Sequence, residues 1–156
     1  MSAMSPVTIR RARRNDVEII VRMLADDPLG SARERVEDPL LPPYFRAFDA
    51  LEQHPNIRLV VAEGSDGIVV GCLQLCILPG LSSQGASRGL IEDVRVAGHC
   101  RSRGIGEQLV QWAVAEARGK GCKLVELLTH NPRVDAQRFY KRLGFVASHV
   151  GMTIRF

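Results

Sequence analysis

Arg101-Ser102-Arg103-Gly104-Ile105-Gly106 is the stretch on which the reading of this chain turns. It stands between a strand-like run, residues 90–96, and an amphipathic helical stretch with Leu109, Trp112, Ala113 and Ala117 on one side. A glycine-rich turn that opens a helix leaves backbone N–H groups unpaired at the positive end of the helix dipole. With no Cβ at Gly104 or Gly106, phosphate oxygens can come close to the main chain. Arg101 and Arg103 add cationic donors that suit such oxygens. The pattern is an anion cradle for which a pyrophosphate is a natural guest; the alternative is a plain tight turn with two solvated arginines. No Lys-Ser or Lys-Thr follows the last glycine, which sets aside the nucleoside-triphosphate P-loop. The spacing is not Gly-x-Gly-x-x-Gly, and no run of parallel βαβ units surrounds it, which argues against a dinucleotide fold.

On the amino-terminal side, residues 7–12 suit a first strand. Asn15 or Asp16 then caps a helix whose Val17, Ile20, Val21 and Leu24 make one apolar stripe. Residues 27–56 are Pro-rich and charged, with a short helix from Pro43 or Tyr44 to Gln53. Its Tyr44, Phe45, Phe48 and Leu51 either pack or line a pocket. Residues 57–63 and 68–78 read as strands joined by the hairpin signal Gly64-Ser65-Asp66-Gly67, and Gly71 marks a bulge or a close neighbour. Residues 79–89 read as a mobile Ser/Gly-rich loop. Beyond the cradle helix, which stops at Gly119-Lys120-Gly121, residues 123–129 suit a strand and residues 135–142 a helix. Two closing strands, 145–149 and 152–156, complete the order βααβββαβαββ. That order predicts an α/β (α+β) fold: a mixed, mostly antiparallel central sheet with helices on both faces.

A chain of 156 residues suits one domain that buries roughly 70% of its unfolded surface without staples. Residues 1–156 are therefore expected to form a single domain, with 1–6 a flexible tail. A net charge of +4 helps attract a polyphosphate, but with aromatics at 5% and no basic-aromatic interleaving it does not point to nucleic acid. Cys72, Cys76, Cys100 and Cys122 form no CxxC pair, and His99 and His130 fall at no zinc-like spacing from them, so no metal is expected. No apolar run approaches membrane-spanning length, and the amino end lacks the apolar core of a secretory signal. The expected location is cytoplasmic, with no membrane partner.

Three motifs in order carry a resemblance. They are Ile91-Glu92-Asp93-Val94-Arg95-Val96, then the cradle, then Asn131 followed by Phe139-Tyr140-Lys141-Arg142-Leu143-Gly144-Phe145. Together they resemble the GCN5-related N-acetyltransferases (GNAT), whose pyrophosphate signature is Arg/Gln-x-x-Gly-x-Gly/Ala. The resemblance implies a single N-acetyltransferase domain that moves an acetyl group from acetyl-coenzyme A, as co-substrate, to an amine. The strand segment Val94, Arg95 and Val96 would pair through its main chain with the pantetheine arm. Ser102, Arg103, Gly104, Ile105, Gly106 and Glu107 would hold the diphosphate through backbone N–H groups, with Arg101 and Arg103 reaching phosphates. Asn131 would bond the pantetheine amide, with His130 as the alternative, because nine positions separate Asn131 from Tyr140 where seven is commoner in the family.

The implied catalytic residues are Glu92 and Tyr140. A protonated amine cannot attack a thioester, so a base is needed. Glu92 is the candidate, directly or through a water, since it alternates with Leu90 and Val94 on the face expected to meet the acetyl group. Asp93 would face the opposite side. A backbone N–H near Val94 would stabilise the oxyanion. Tyr140 matches the family's general acid. Direct transfer in a ternary complex is expected, because Cys72, Cys76 and Cys100 have no adjacent base. Residues 135–140 look similar to small-amine members, including aminoalkylphosphonate acetyltransferases. The expected partner is accordingly a small-molecule amine, and pairing of the closing strands between subunits would give a homodimer. The alternatives are a protein lysine or N-terminal acetyltransferase and a non-catalytic acyl-coenzyme A sensor.

Overall fold

The computed structural model describes residues 6–156, so the expected tail lies, apart from Pro6, outside the described residues. The elements run β1 (Thr8–Arg11), α1 (Val17–Ala25), α2 (Pro28–Ser31), α3 (Pro42–Gln53), β2 (Ile57–Glu63) and β3 (Val69–Leu78). A single turn, α4 (Ser82–Gly85), then precedes β4 (Arg88–Val96), α5 (Ile105–Gly119), β5 (Leu124–Leu127) and α6 (Val134–Arg142). The sheet order is β1-β2-β3-β4-β5. The first four strands are antiparallel and β5 runs parallel to β4, so the mixed sheet follows the sequence reading.

α5 shows why these residues form this element. Ile105, Leu109, Ala113 and Ala117 recur every fourth position and are all buried, and they seat the helix on β3 and β4. Gly71 makes that seat close. A Cβ there would stand 3.0 Å from the Arg95 carbonyl oxygen and 3.0 Å from Leu109 Cδ1, so the glycine marks a close neighbour; the β2–β3 register also slips beside it, with Ala62 opposite Gly71 but Glu63 opposite Val69. Leu73, Leu75, Ile91, Leu109, Val60 and Val61 are the most completely buried large side chains. Phe48 of α3 joins the same core, with Tyr44 and Phe45 packed against it, so the aromatic stripe is packing.

At the amino end, buried Asp16 accepts two hydrogen bonds from Arg10 (2.7 and 3.1 Å) and one from Arg13 N (2.7 Å). Arg10 also donates to Glu63 at 2.7 Å, tying β1, β2 and the start of α1 together. Asp16 thus bonds backwards and does not cap α1 with its side chain.

The closing strands are a correction. Residues 143–156 contain neither a helix nor a strand, and Val146, Val150, Met152, Ile154 and Phe156 are exposed. The alternating pattern is present in the sequence, but a strand needs a partner edge, and among the described residues β5 pairs only with β4. Along β5 and α5 runs a groove of about 260 Å³, lined in part by Val114, Arg118, Lys123, Leu124 and Phe145, distinct from the cradle.

Candidate active site

β4 and β5 pair only from Arg88–Ile91 against Leu124–Leu127, and beyond Ile91 they part. Ala97 N donates to Val70 O at 2.9 Å, so the main-chain groups of Ala97 face β3. By alternation, those of Val96 and Val94 face the opposite edge. There the Val94 carbonyl accepts from Arg95 Nη1 (2.9 Å) and the Val96 carbonyl from Arg101 Nε (3.4 Å), with no strand between. This open edge is where an extended ligand arm can add as a strand.

The cradle begins at the end of this edge. Ser102 and Gly104 both take left-handed backbone (φ 62° and 75°), turning successive N–H groups inward as in an anion-binding nest. The N–H groups of residues 102–107 have no backbone acceptor among the described residues. Gly104 is the cap of α5, and any other side chain there would cost about 1–2 kcal/mol. Gly106 serves packing, since a Cβ on it would stand 3.4 Å from Phe139 Cζ of α6. Arg103 is exposed. Arg101 is engaged by Asp26, donating from Nη2 to Oδ2 at 2.8 Å and to the carbonyl at 3.1 Å. Glu107 accepts from Gln111 at 3.0 Å, one turn along the helix.

The face presented by β4 differs from simple alternation. Glu92 is registered opposite Gln74 and Arg95 opposite Cys72, so Asp93 and Val94 together oppose Leu73. Asp93, at φ 52°, is the extra residue of this bulge. The inserted residue reverses the phase, and Glu92 shares its face with Arg95 rather than with Val94. Exposed Glu92 accepts from Gln74 Nε2 at 3.0 Å and lies 3.7 Å from Cys76 Sγ. Burial pushes the Cys72 thiol up to about 12 and raises that of Cys76, so neither is a ready nucleophile.

Half-buried Tyr140 stacks edge-on against Phe139 (5.0 Å between centroids) and Phe145 (5.8 Å). Burial pushes its phenol above the ordinary value, while Arg95 and Arg133 pull against that rise. A phenol so placed holds its proton through neutral pH, as a general acid must. The structure thus brings Tyr140, Arg95 and the Glu92 face of β4 into one region. Asn131 and His130 are both exposed on the loop before α6, and the Asn131 carbonyl accepts from Gln137 Nε2 at 2.9 Å.

Sequence reasoning missed Asp26, Asp27 and Arg133. Asp27 pairs with Arg133, which is 106 positions away, and lies 3.8 Å from Arg95 Nη2. Burial opposes the Asp27 charge, but the Gly30 N–H and the guanidinium groups of Arg133 and Arg95 outweigh it and lower its pKa. No local signal marks such pairs. Only the placement of the α1–α2 turn beside β4 and α6 creates them.

The family model described as the Acetyltransferase (GNAT) family matches residues 20–145. The chain belongs to the GNAT family. Over 65 residues it is 45% identical to the aminoalkylphosphonate N-acetyltransferase of Salmonella typhimurium, covering 42% of each chain. Over 68 residues it is 40% identical to glucosamine 6-phosphate N-acetyltransferase 1 of Oryza sativa subsp. japonica, covering 44% of this chain and 39% of the relative. The chain therefore matches less than half the length of either curated relative. The crystal structure of a transcriptional regulator from Bacillus halodurans C-125 superposes with a TM-score of 0.93 at 47% identity, over 97% of this chain and all of the other.

Proposed function

We propose that this chain is an acetyl-coenzyme A-dependent N-acetyltransferase acting on the primary amine of a small molecule, by direct transfer in a ternary complex. The observation that carries the reading is the run of N–H groups at residues 102–107 that have no backbone acceptor among the described residues, continuous with the open β4 edge at Val94 and Val96. Such a surface fits a ligand with a diphosphate at one end and an extended amide-bearing arm at the other. Arg103 lends its charge to the phosphates. Arg101 holds Asp26 in this structure and reaches them only on leaving it. Asn131, or His130, meets the pantetheine amide. The coenzyme when bound supplies the activated acetyl group.

Glu92 takes a proton from the acceptor's ammonium group, directly or through a water, and so frees the amine lone pair to attack. The Val94 N–H faces the developing oxyanion, a contact whose loss typically costs about 3–4 kcal/mol. Tyr140 gives a proton to the departing thiolate. Both curated relatives are named for small amines, which supports an acceptor of that class. We propose further that residues 1–156 are one such domain working in the cytoplasm, without metal, nucleic acid or membrane. No helix among the described residues is long and apolar enough to cross a membrane. The closing residues are proposed to pair with a second copy. In support, the apolar side chains at 146, 150, 152, 154 and 156 alternate and are exposed, and the β5 edge is open.

Coenzyme thiol release across a panel of small amines, polyamines, aminoglycosides and lysine peptides tests the reading, which expects turnover with small amines. The naming of the Bacillus halodurans structure favours a second reading, in which the same cradle senses an acyl-coenzyme A without turning it over. Calorimetric binding of the coenzyme with no turnover on any amine would decide for it.

A further inference from the structure

Three charged side chains from distant parts of the chain meet in the region of Tyr140. Asp27 comes from the turn between α1 and α2, Arg95 from β4, and Arg133 from the residue that precedes α6. One carboxylate oxygen, Asp27 Oδ2, pairs with Arg133 Nη2 and lies 3.8 Å from Arg95 Nη2, while Oδ1 accepts from Gly30 N at 2.6 Å. Two guanidinium groups thus share a single carboxylate, and the cluster keeps an excess of positive charge.

Arg95 is the member whose presence needs explaining. Its side chain is 15% exposed, Nη1 is spent on the Val94 carbonyl, and the buried Nε has no partner among the described residues. Buried donors are seldom left without an acceptor. A tie between the α1–α2 turn and α6 is complete with Asp27 and Arg133 alone, so Arg95 adds donors that the tie does not use. It also stands on the Glu92 face of β4, where the amine is proposed to lose its proton. Both arginines act on the Tyr140 phenol, which places them by the reacting end of the cleft rather than at the cradle.

We infer that Arg95 and Arg133 form a subsite for a tetrahedral oxyanion, a phosphate or phosphonate carried by the acceptor amine, with Asp27 holding the place until the acceptor arrives. Forked N–H donors suit such an anion better than they suit one shared carboxylate oxygen. The inference rests on the acetyltransferase reading above and narrows its acceptor to amines that bear an anion.

The test is the ratio of kcat/KM for matched amines on the full chain. 2-Aminoethylphosphonate and O-phosphoethanolamine are set against propylamine, and 3-aminopropionate separates a tetrahedral anion from a carboxylate. The anionic phosphorus amines should be preferred by about 10-fold or more, as charged hydrogen bonds of this kind allow. Arg133→Gln should cut that ratio about 10-fold. Asp27→Asn keeps an acceptor for Gly30 N but removes the competing charge, so it should leave the ratio equal or higher. A wild-type ratio near one overturns the subsite while sparing the transferase. So does an Arg133→Gln loss that falls alike on all amines through a raised KM for acetyl-coenzyme A. Transfer to no amine at all overturns both.

Discussion

Tyr140→Phe separates chemistry from architecture at one atom. The ring keeps its edge-on contacts with Phe139 and Phe145, and no hydrogen bond to the hydroxyl is found among the described residues. Removing the oxygen should therefore change stability by less than about 0.5 kcal/mol, a shift of roughly 2 °C or less in Tm. Turnover should respond far more, because positioned general acids contribute about 10²–10⁴-fold, which is roughly 2.7–5.5 kcal/mol of barrier. Burial raises the phenol above its usual value of 10.0, so the wild type keeps this acid across neutral and mildly alkaline pH. The deficit of the variant should widen as pH rises, since hydronium that could protonate the departing thiolate becomes scarcer. Initial rates of thiol release from pH 6 to 9.5, with KM for acetyl-coenzyme A measured at each end, are the assay. A kcat within twofold of wild type at the alkaline end, with the fold intact, refutes the general-acid role. An equal rise in KM with unchanged kcat refutes it as well and makes Tyr140 a binding residue.

Glu92→Gln should flatten or shift the acidic limb of the pH–rate profile, and a profile matching the wild type would put the base elsewhere. Asp16→Asn should cost about 3 kcal/mol by leaving half-buried Arg10 with only Glu63 as its charged partner, read as a drop of roughly 6–12 °C in Tm. Burial opposes the Asp16 charge, yet the bonds from Arg10 and Arg13 lower its pKa below the ordinary 3.8. Its contribution is thus full above that value and lost as pH falls through the folded pKa. The variant's stability should then fall less steeply below pH ~4 than the wild type's, and parallel acid curves would contradict the assignment. Deleting residues 146–156 should turn a dimer into a monomer in sedimentation, whereas a wild type that is itself monomeric would remove the proposed strand exchange.

Local signals made much of this fold legible. The helical spacing of Leu109, Trp112, Ala113 and Ala117 gave α5, and the Gly64–Gly67 signal gave the β2–β3 hairpin, because each rests on neighbours in sequence. The turn that opens α5 was legible for the same reason, since Gly104 supplies its left-handed cap. The face of Glu92 was misjudged because alternation assumes an unbroken pleat. The bulge at Asp93 is set by how β4 registers on β3, not by Asp93 itself. The closing strands failed as intrachain elements because their pattern states which side is apolar but not where the partner edge lies. Asp27, Arg95 and Arg133 were invisible as a group, since their contacts span 68 to 106 positions.

Titrating coenzyme A into isotope-labelled protein and following the amide resonances tests the central claim most directly. The largest perturbations should fall on the N–H groups of residues 102–107, with Val94 and Val96 next. Quiet cradle amides, with the response gathered instead along the groove beside β5 or absent everywhere, would contradict the account.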